Sequence, residues 1–236
     1  MKIKNPKLSI VIPTYNEKKN IVILINNLQK IVKKKDILTE IIVVDDNSPD
    51  KTAKSTIRLN KKYGNIVTII RKSNKGFSKS LMCGLKEARG KYILCMDADL
   101  VHDPKELPKM LNLMKNNDMV IGSRYLNDSI IKRPKYRNAI SLIGQYFQRF
   151  ILGIDISDTT NNFRMFKYEV FQSIKHKLHT DGNVFLLEFA YHASKKYKIK
   201  EIPIYYLERT EGESKLSAGK EAIFFLHRII KLRFSG

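Results

Sequence analysis

Five short runs, apolar almost from end to end and separated by stretches of helical spacing, set the tightest limit on how this chain can fold. They are Leu8–Pro13, Glu40–Asp46, Asn65–Arg71, Tyr92–Asp97 and Met119–Gly122. A strand with one wet face alternates apolar and polar residues, whereas a run without alternation is covered on both sides. The segments Asn20–Val32, Thr52–Tyr63, Ser78–Ala88 and Lys105–Met114 carry the helical spacing that supplies such cover. Strand and helix in alternation predict an α/β fold with a mostly parallel central sheet flanked by helices. A chain of 236 residues without internal repeat, low-complexity tract or linker fits one domain over 1–236.

In such sheets ligands bind beyond the carboxyl ends of the strands, and polar clusters stand there. Pro13-Thr14-Tyr15-Asn16-Glu17 follows the first run, Asp45-Asp46-Asn47-Ser48-Pro49-Asp50 the second, and Asp97-Ala98-Asp99 the fourth. Taken singly, each reads as a solvated turn. Three at the ends of neighbouring strands read instead as a nucleotide site. Tyr15 would stack on a base and carboxylates would read base or ribose edges. Asp97 and Asp99 would hold a hard divalent cation, Mg²⁺ or Mn²⁺, against a diphosphate.

Beyond Arg124 the texture changes. Ser129–Arg137 is a basic loop, Asn138–Leu152 a helix with long apolar side chains, and Asp155–Arg164 a polar turn leading to a helix from Lys167. Leu186–Lys196 reads as a helix, Ile199–Leu207 as a strand, Glu208–Ser217 as a charged loop and Lys220–Arg233 as an amphipathic helix. The first half of that last helix suits the core. Its end, with 220–236 as a membrane-associating segment, suits a lipid interface or the docking of a small membrane subunit.

Charge bears on the partner. The chain has 44 Lys+Arg against 23 Asp+Glu, a formal +21, which draws polyanions such as anionic headgroups or reflects lysine spread over a solvated surface. Nucleic acid is set aside as a partner: it explains the charge alone, and there is no RNA-binding aromatic motif, zinc finger or helix-turn-helix. Cys83 and Cys95 lack metal or redox spacing and read as buried free thiols. The five histidines share no ligand spacing, and His102 reads as a turn residue beside the acidic centre. No uncharged apolar stretch approaches the ~18 residues needed to span a bilayer.

The run Ile12-Pro13-Thr14-Tyr15-Asn16-Glu17, with Val44–Asp50 and Met96–Leu100, resembles family-two glycosyltransferases of the GT-A fold. Gly122–Tyr125, Arg137–Ser141, Ser157–Thr160 running to Phe163-Arg164, Glu201–Ile204 and Arg209–Leu216 are similar to the polyprenyl-phosphate branch, above all to dolichol-phosphate mannose synthases of the soluble catalytic-subunit type. The likeness runs from Leu8 to Leu232. It implies transfer of mannose from GDP-mannose to the phosphate of a polyisoprenyl (dolichyl-type) lipid, with inversion, by an enzyme peripheral on the cytoplasmic side of a membrane. The alternative is a polyprenyl-phosphate glucosyltransferase or another sugar transferase that uses a UDP-sugar.

By the same resemblance Pro13, Tyr15, Glu17, Asp45, Asp46 and Asp97 hold the nucleotide sugar, and Asp97 and Asp99 the metal. Arg209 and Lys215 close over the donor phosphates; Arg124, Arg137 and Ser141 grip the acceptor phosphate. Asp99, Arg124, Arg137 and Arg209 carry the catalytic weight. The chemistry agrees: a lipid phosphate is already an anionic nucleophile, so positioning and electrostatics suffice without a dedicated base, and the guanidinium fork matches phosphate oxygens. The chain departs from the family at Asn47 and Lys51 (usually Gly), Ser78 (Gly), Val101 (a metal-binding Gln in some relatives) and Asn161-Asn162 (Ser-Gly or Gly-Ser). None of these removes a charged site residue.

Overall fold

All five apolar runs become strands: β1 (Leu8–Thr14), β2 (Thr39–Asp45), β3 (Ile66–Ile70), β4 (Tyr92–Cys95) and β5 (Met119–Ser123). The computed structural model describes residues 3–131, 135–180, 184–206 and 227–234, of which 131, 135–141 and 143 are described by backbone alone. Between the strands lie α1 (Lys18–Lys34), α2 (Thr52–Tyr63), α3 (Phe77–Glu87) and α4 (Leu107–Leu113). There follow β6 (Ile130–Ile131), α5 (Lys135–Leu152), β7 (Arg164–Lys167), α6 (Tyr168–Ile174), α7 (Phe185–Ser194), β8 (Ile199–Pro203) and β9 (Tyr205–Tyr206). Residues 227–234 are helical.

The main sheet has the order β3-β2-β1-β4-β7-β5-β8. Every neighbouring pair is parallel except those that β7 makes with β4 and β5, so the expected mostly parallel α/β architecture is the one found. The lack of alternation in the strands has its predicted cause. Leu8, Ile10 and Ile12 of β1 and Ile41 and Val43 of β2 pack with Ile21, Leu24, Ile25 and Leu28 of α1 on one face. Val11, Ile42 and Val44 pack with Leu81, Met82 and Leu85 of α3 on the other. Each such side chain contributes about 1.5–3 kcal/mol by leaving water. On the second face α3 lies so close that a Cβ on Gly84 would come 2.5 Å from Val11 Cγ1.

Three readings from sequence need correction. Arg164, placed at the end of a polar turn, begins β7 in the middle of the sheet, between Cys95 of β4 and Ile121 of β5. Arg164 is 1% exposed, an unusual strand residue that is tolerated because backbone carbonyls of Thr159, Asn161 and Leu186 accept from its guanidinium. Ile199–Leu207 divides into β8 and β9, and β9 pairs with β6 rather than continuing in the main sheet. The helix expected from Asn138 starts at Lys135.

The antiparallel strand decides which loop meets the polar clusters. The parallel strands all finish at one rim of the sheet, and β7 starts there. Residues 158–163, just ahead of β7, are thereby carried to the rim where those clusters lie.

Candidate active site

At the rim, a pocket is lined by Pro13, Tyr15, Glu17, Phe77, Asp97, Ala98 and Asp99. The turn after β1 is pinned to the turn after β2. Backbone amides of Asn16, Glu17 and Lys18 donate to Ser48 Oγ (2.9 Å), Thr52 Oγ1 (3.0 Å) and Asp50 Oδ2 (2.9 Å). Tyr15 and Phe77 both keep ring surface open, and the Lys75 ammonium stands 5.9 Å from the Tyr15 ring centre. Helical spacing, which begins at Ser78, does not single out Phe77. Its only sequence signal is an aromatic directly after Gly76, whose φ of 127° opens α3.

Asp45 and Asp46, expected to touch the nucleotide, are not among the residues lining this pocket. Asp45 is buried and accepts from Thr14 Oγ1 (3.1 Å), Ser48 Oγ (2.6 Å) and Ser48 N–H (2.9 Å). Asp46 accepts from Arg71 Nε, Gly76 N–H and Ser80 Oγ, each at 2.7 Å. Both carboxylates thus tie down the loops that frame the pocket. At both departures from the family's glycine in the turn after β2, Asn47 (φ 56°) and Lys51 (φ 69°), the backbone is left-handed; glycine carries least strain there, asparagine tolerates it and lysine is strained by it.

In the acidic centre the Asp97 side chain is 28% exposed, and Asp99 Oδ1 accepts from Val101 N–H at 3.3 Å. Leu100, directly after Asp99, has φ 65°, a strained conformation for a bulky residue. Its side chain packs on the core, which holds the turn.

His102 lies directly beneath. Asn161 Oδ1 accepts from Phe163 N–H (3.1 Å) and its Nδ2 donates to the Gly122 carbonyl (2.6 Å), which fixes the amide orientation. His102 Nε2, 2.9 Å from that oxygen, therefore carries the ring proton. Nδ1 is left as the acceptor for Asp97 N–H at 3.2 Å. Burial, partly offset by Asp99, lowers the His102 pKa to about 4, so the ring is neutral at physiological pH. With both nitrogens engaged, and the ring stacked 5.0 Å from Phe163, His102 is a structural residue.

These donors fit one kind of metal site. Among the described residues no group of three or more His, Cys, Asp and Glu could hold an ion. Two carboxylates leave most positions of an Mg²⁺- or Mn²⁺-like ion to substrate phosphates and water, the usual arrangement for a cation that bridges to a diphosphate.

Arg124, expected on the acceptor phosphate, follows β5 and is largely committed to protein. Its Nε and Nη2 donate to Asp158 (2.7 and 2.8 Å), Nη2 also reaches Thr160 Oγ1 (2.9 Å), and its backbone N–H reaches Asp158 (3.1 Å). Burial works against the charge of each partner, but the pairing outweighs it, raising the Arg124 pKa and lowering that of Asp158. The loop carrying Asp158 is held in its turn, because the Ser157 and Asp158 amides donate to Glu201 of β8 (2.8 and 3.0 Å). Thr159 and Thr160 anchor Gln145 and Gln148 of α5. Arg137 and Ser141 lie on α5, with side chains outside the described residues, as Arg209 and Lys215 are entirely.

One face of α5 stays apolar and open. Leu142, Tyr146 and Phe150, spaced by one turn, are 53%, 73% and 81% exposed, and Ile230 and Phe234 of the 227–234 helix are exposed as well. Among the described residues no helix is long and apolar enough to cross a membrane.

The family model "Glycosyl transferase family 2" matches residues 9–175. The chain belongs to this family. The glycosyltransferase is 36% identical over 230 residues to a dolichol-phosphate mannosyltransferase of Pyrococcus furiosus, an alignment covering 96% of this chain and 63% of that one. It therefore spans less than two thirds of that relative's length. To the dolichol-phosphate mannosyltransferase of Saccharomyces cerevisiae it is 32% identical over 235 residues, covering 95% of this chain and 86% of the other. A mannosyltransferase from Pyrobaculum calidifontis, solved with GDP-Man and Mn²⁺, shares the fold with a TM-score of 0.63 at 18% identity, over 98% of this chain and 71% of that one.

Proposed function

We propose that the glycosyltransferase moves mannose from GDP-mannose to the phosphate of a polyisoprenyl, dolichyl-type lipid, inverting the sugar carbon. The observation that carries this reading is the rim pocket in which Asp97 and Asp99 face the same space as Tyr15, Glu17 and Phe77. Two relatives similar over at least 95% of this chain are dolichol-phosphate mannosyltransferases, and a structural neighbour was solved with GDP-Man and Mn²⁺. The two relatives favour mannose over the UDP-glucose alternative; the structural neighbours, one solved with GDP-Man and Mn²⁺ and another with UDP-glucose and Mn²⁺, share the fold alone.

In this reading Tyr15 and Phe77 offer aromatic faces to the base, and Glu17 and Pro13 border it. Asp97 and Asp99 hold a divalent cation, which supplies positive charge to the departing diphosphate. Asp45 and Asp46 act at one remove, by fixing the loops around the donor. Arg137 and Ser141 on α5 and the Arg124 guanidinium hold the acceptor phosphate in line with the sugar carbon, while Arg209 and Lys215 stabilise charge on the donor phosphates. The exposed apolar face of α5, the 227–234 helix and the +21 charge suit docking on an anionic membrane, where the acceptor resides. A small membrane subunit is a further partner for the same surface.

The test uses purified protein, Mn²⁺ or Mg²⁺, radiolabelled GDP-mannose or UDP-glucose, and dolichyl or undecaprenyl phosphate. Label entering the organic phase from GDP-mannose alone, and lost in Asp99→Ala, is the expected result. Transfer from UDP-glucose alone would assign the alternative donor. No transfer from either donor, with detergent and a membrane extract present, would overturn the enzyme reading.

A further inference from the structure

Asn162 donates from Nδ2 to Asp97 Oδ1 at 2.9 Å. The orientation of this amide is forced, because turning it would set its oxygen against a carboxylate oxygen. The side chain is 3% exposed, and its Oδ1, closed to solvent, has no hydrogen-bond partner among the described residues. An unsatisfied buried amide oxygen is destabilising, and an apolar side chain of the same shape would avoid the cost. An asparagine at this position is accounted for by what its other end does.

The neighbouring residue acts on the same aspartate by a second route. Asn161 holds the His102 ring, and His102 accepts from the Asp97 backbone amide. The loop bearing both asparagines is itself clamped: Arg164 Nε donates to the Asn161 carbonyl (2.9 Å) and its Nη2 to that of Thr159 (3.1 Å). Asp97 is thus gripped at its carboxylate by Asn162 and at its main chain through Asn161 and His102, from one rigid segment ahead of β7.

We propose that Asn162 is a positioning residue for Asp97: its amide, bonded to Oδ1, holds the carboxylate in the orientation from which this side chain would ligate the donor's divalent cation. Ligating carboxylates are commonly oriented by a hydrogen bond of this kind, whose loss weakens metal affinity by about 10–100-fold. The proposal rests on the reading of Asp97 as a ligand of the cation, and the experiment separates the two.

Mn²⁺ affinity is measured by the loss of the free-ion electron paramagnetic resonance signal, with GDP present, in the unaltered chain and in Asp97→Ala, Asn162→Leu and Asn162→Ala. Melting is followed by circular dichroism on the same samples. Asn162→Leu is expected to hold or raise the melting temperature, since it removes the orphaned oxygen, while weakening Mn²⁺ by about tenfold. Asn162→Ala should weaken Mn²⁺ to the same extent whatever its effect on melting. A purely structural role moves both readings together, so this split carries the inference. Mn²⁺ affinity lost in Asp97→Ala but within about twofold of the parent in both Asn162 variants, well short of that tenfold, would overturn this inference alone. No Mn²⁺ binding by the unaltered chain would overturn it together with the cation reading of Asp97.

Discussion

Asp158→Asn removes one charge and almost no volume from the most buried ion pair near the rim. Asp158 is fully buried and the Arg124 side chain 13% exposed, so water cannot take over when the carboxylate is neutralised. Three hydrogen bonds from Arg124 end on this carboxylate. An asparagine keeps one acceptor oxygen and turns an amide donor toward a guanidinium that can only donate. Leaving one member of a buried pair uncompensated costs about 3–5 kcal/mol. For a chain of this length that lowers the melting temperature by roughly 6–20 °C, at about 2–4 °C per kcal/mol. Melting by circular dichroism, checked by urea titration, reads the change. The double variant Asp158→Leu with Arg124→Met should recover most of the lost stability, because an apolar replacement of both partners removes the desolvation cost as well. A loss below about 1 kcal/mol in Asp158→Asn, the range of an exposed pair, would refute the view that Arg124 is mainly committed to Asp158.

Single residues give the other expectations. Lys51→Gly should raise stability by about 0.5–1 kcal/mol, the left-handed strain relieved at φ 69° exceeding the added freedom of the unfolded glycine; chemical denaturation measures it. Phe77→Ala should weaken GDP binding by about tenfold in a calorimetric titration, within the 1–3 kcal/mol of aromatic–base stacking, with little change in melting. The Asp118 carboxylate is held below its usual pKa by hydrogen bonds from Lys167 (2.6 Å) and the Lys198 amide (2.9 Å). A depressed carboxylate stabilises above its unfolded value and loses that contribution as pH falls through the folded one. Melting should therefore decline below about pH 4, and Asp118→Asn should be less stable at neutral pH but flatter across that acid range.

The parallel half of the fold was legible because strand burial on two faces leaves a pattern local to each run: Leu8–Pro13 needs no distant residue to be recognised. The rim clusters were legible for the same reason, since each sits beside its own strand. Orientation was not. Asp45 and Asp46 read as ligand-facing carboxylates, and no local pattern shows that Ser48, Arg71, Gly76 and Ser80 also bond to them. Whether an aspartate at a strand end meets a ligand or a neighbouring loop depends on the path of another segment. Arg124 illustrates this over a longer separation, for its partner Asp158 is 34 residues away. β7 was hidden by its first residue: an arginine satisfied wholly by carbonyls has no signature in hydropathy, and Arg164–Lys167 is only four residues long.

The central antiparallel strand also orders the events of synthesis. β4 and β5 flank β7 but do not pair with each other, so when the ribosome has released residues only as far as Ser123 both present an unpaired edge on a largely apolar strand. Such edges are templates for pairing with other chains. They remain so until Arg164–Lys167 emerges about 40 residues later, roughly two to eight seconds at common elongation rates. Protection of the nascent chain during that interval, by a chaperone or by slow collapse, is a requirement written into the strand order.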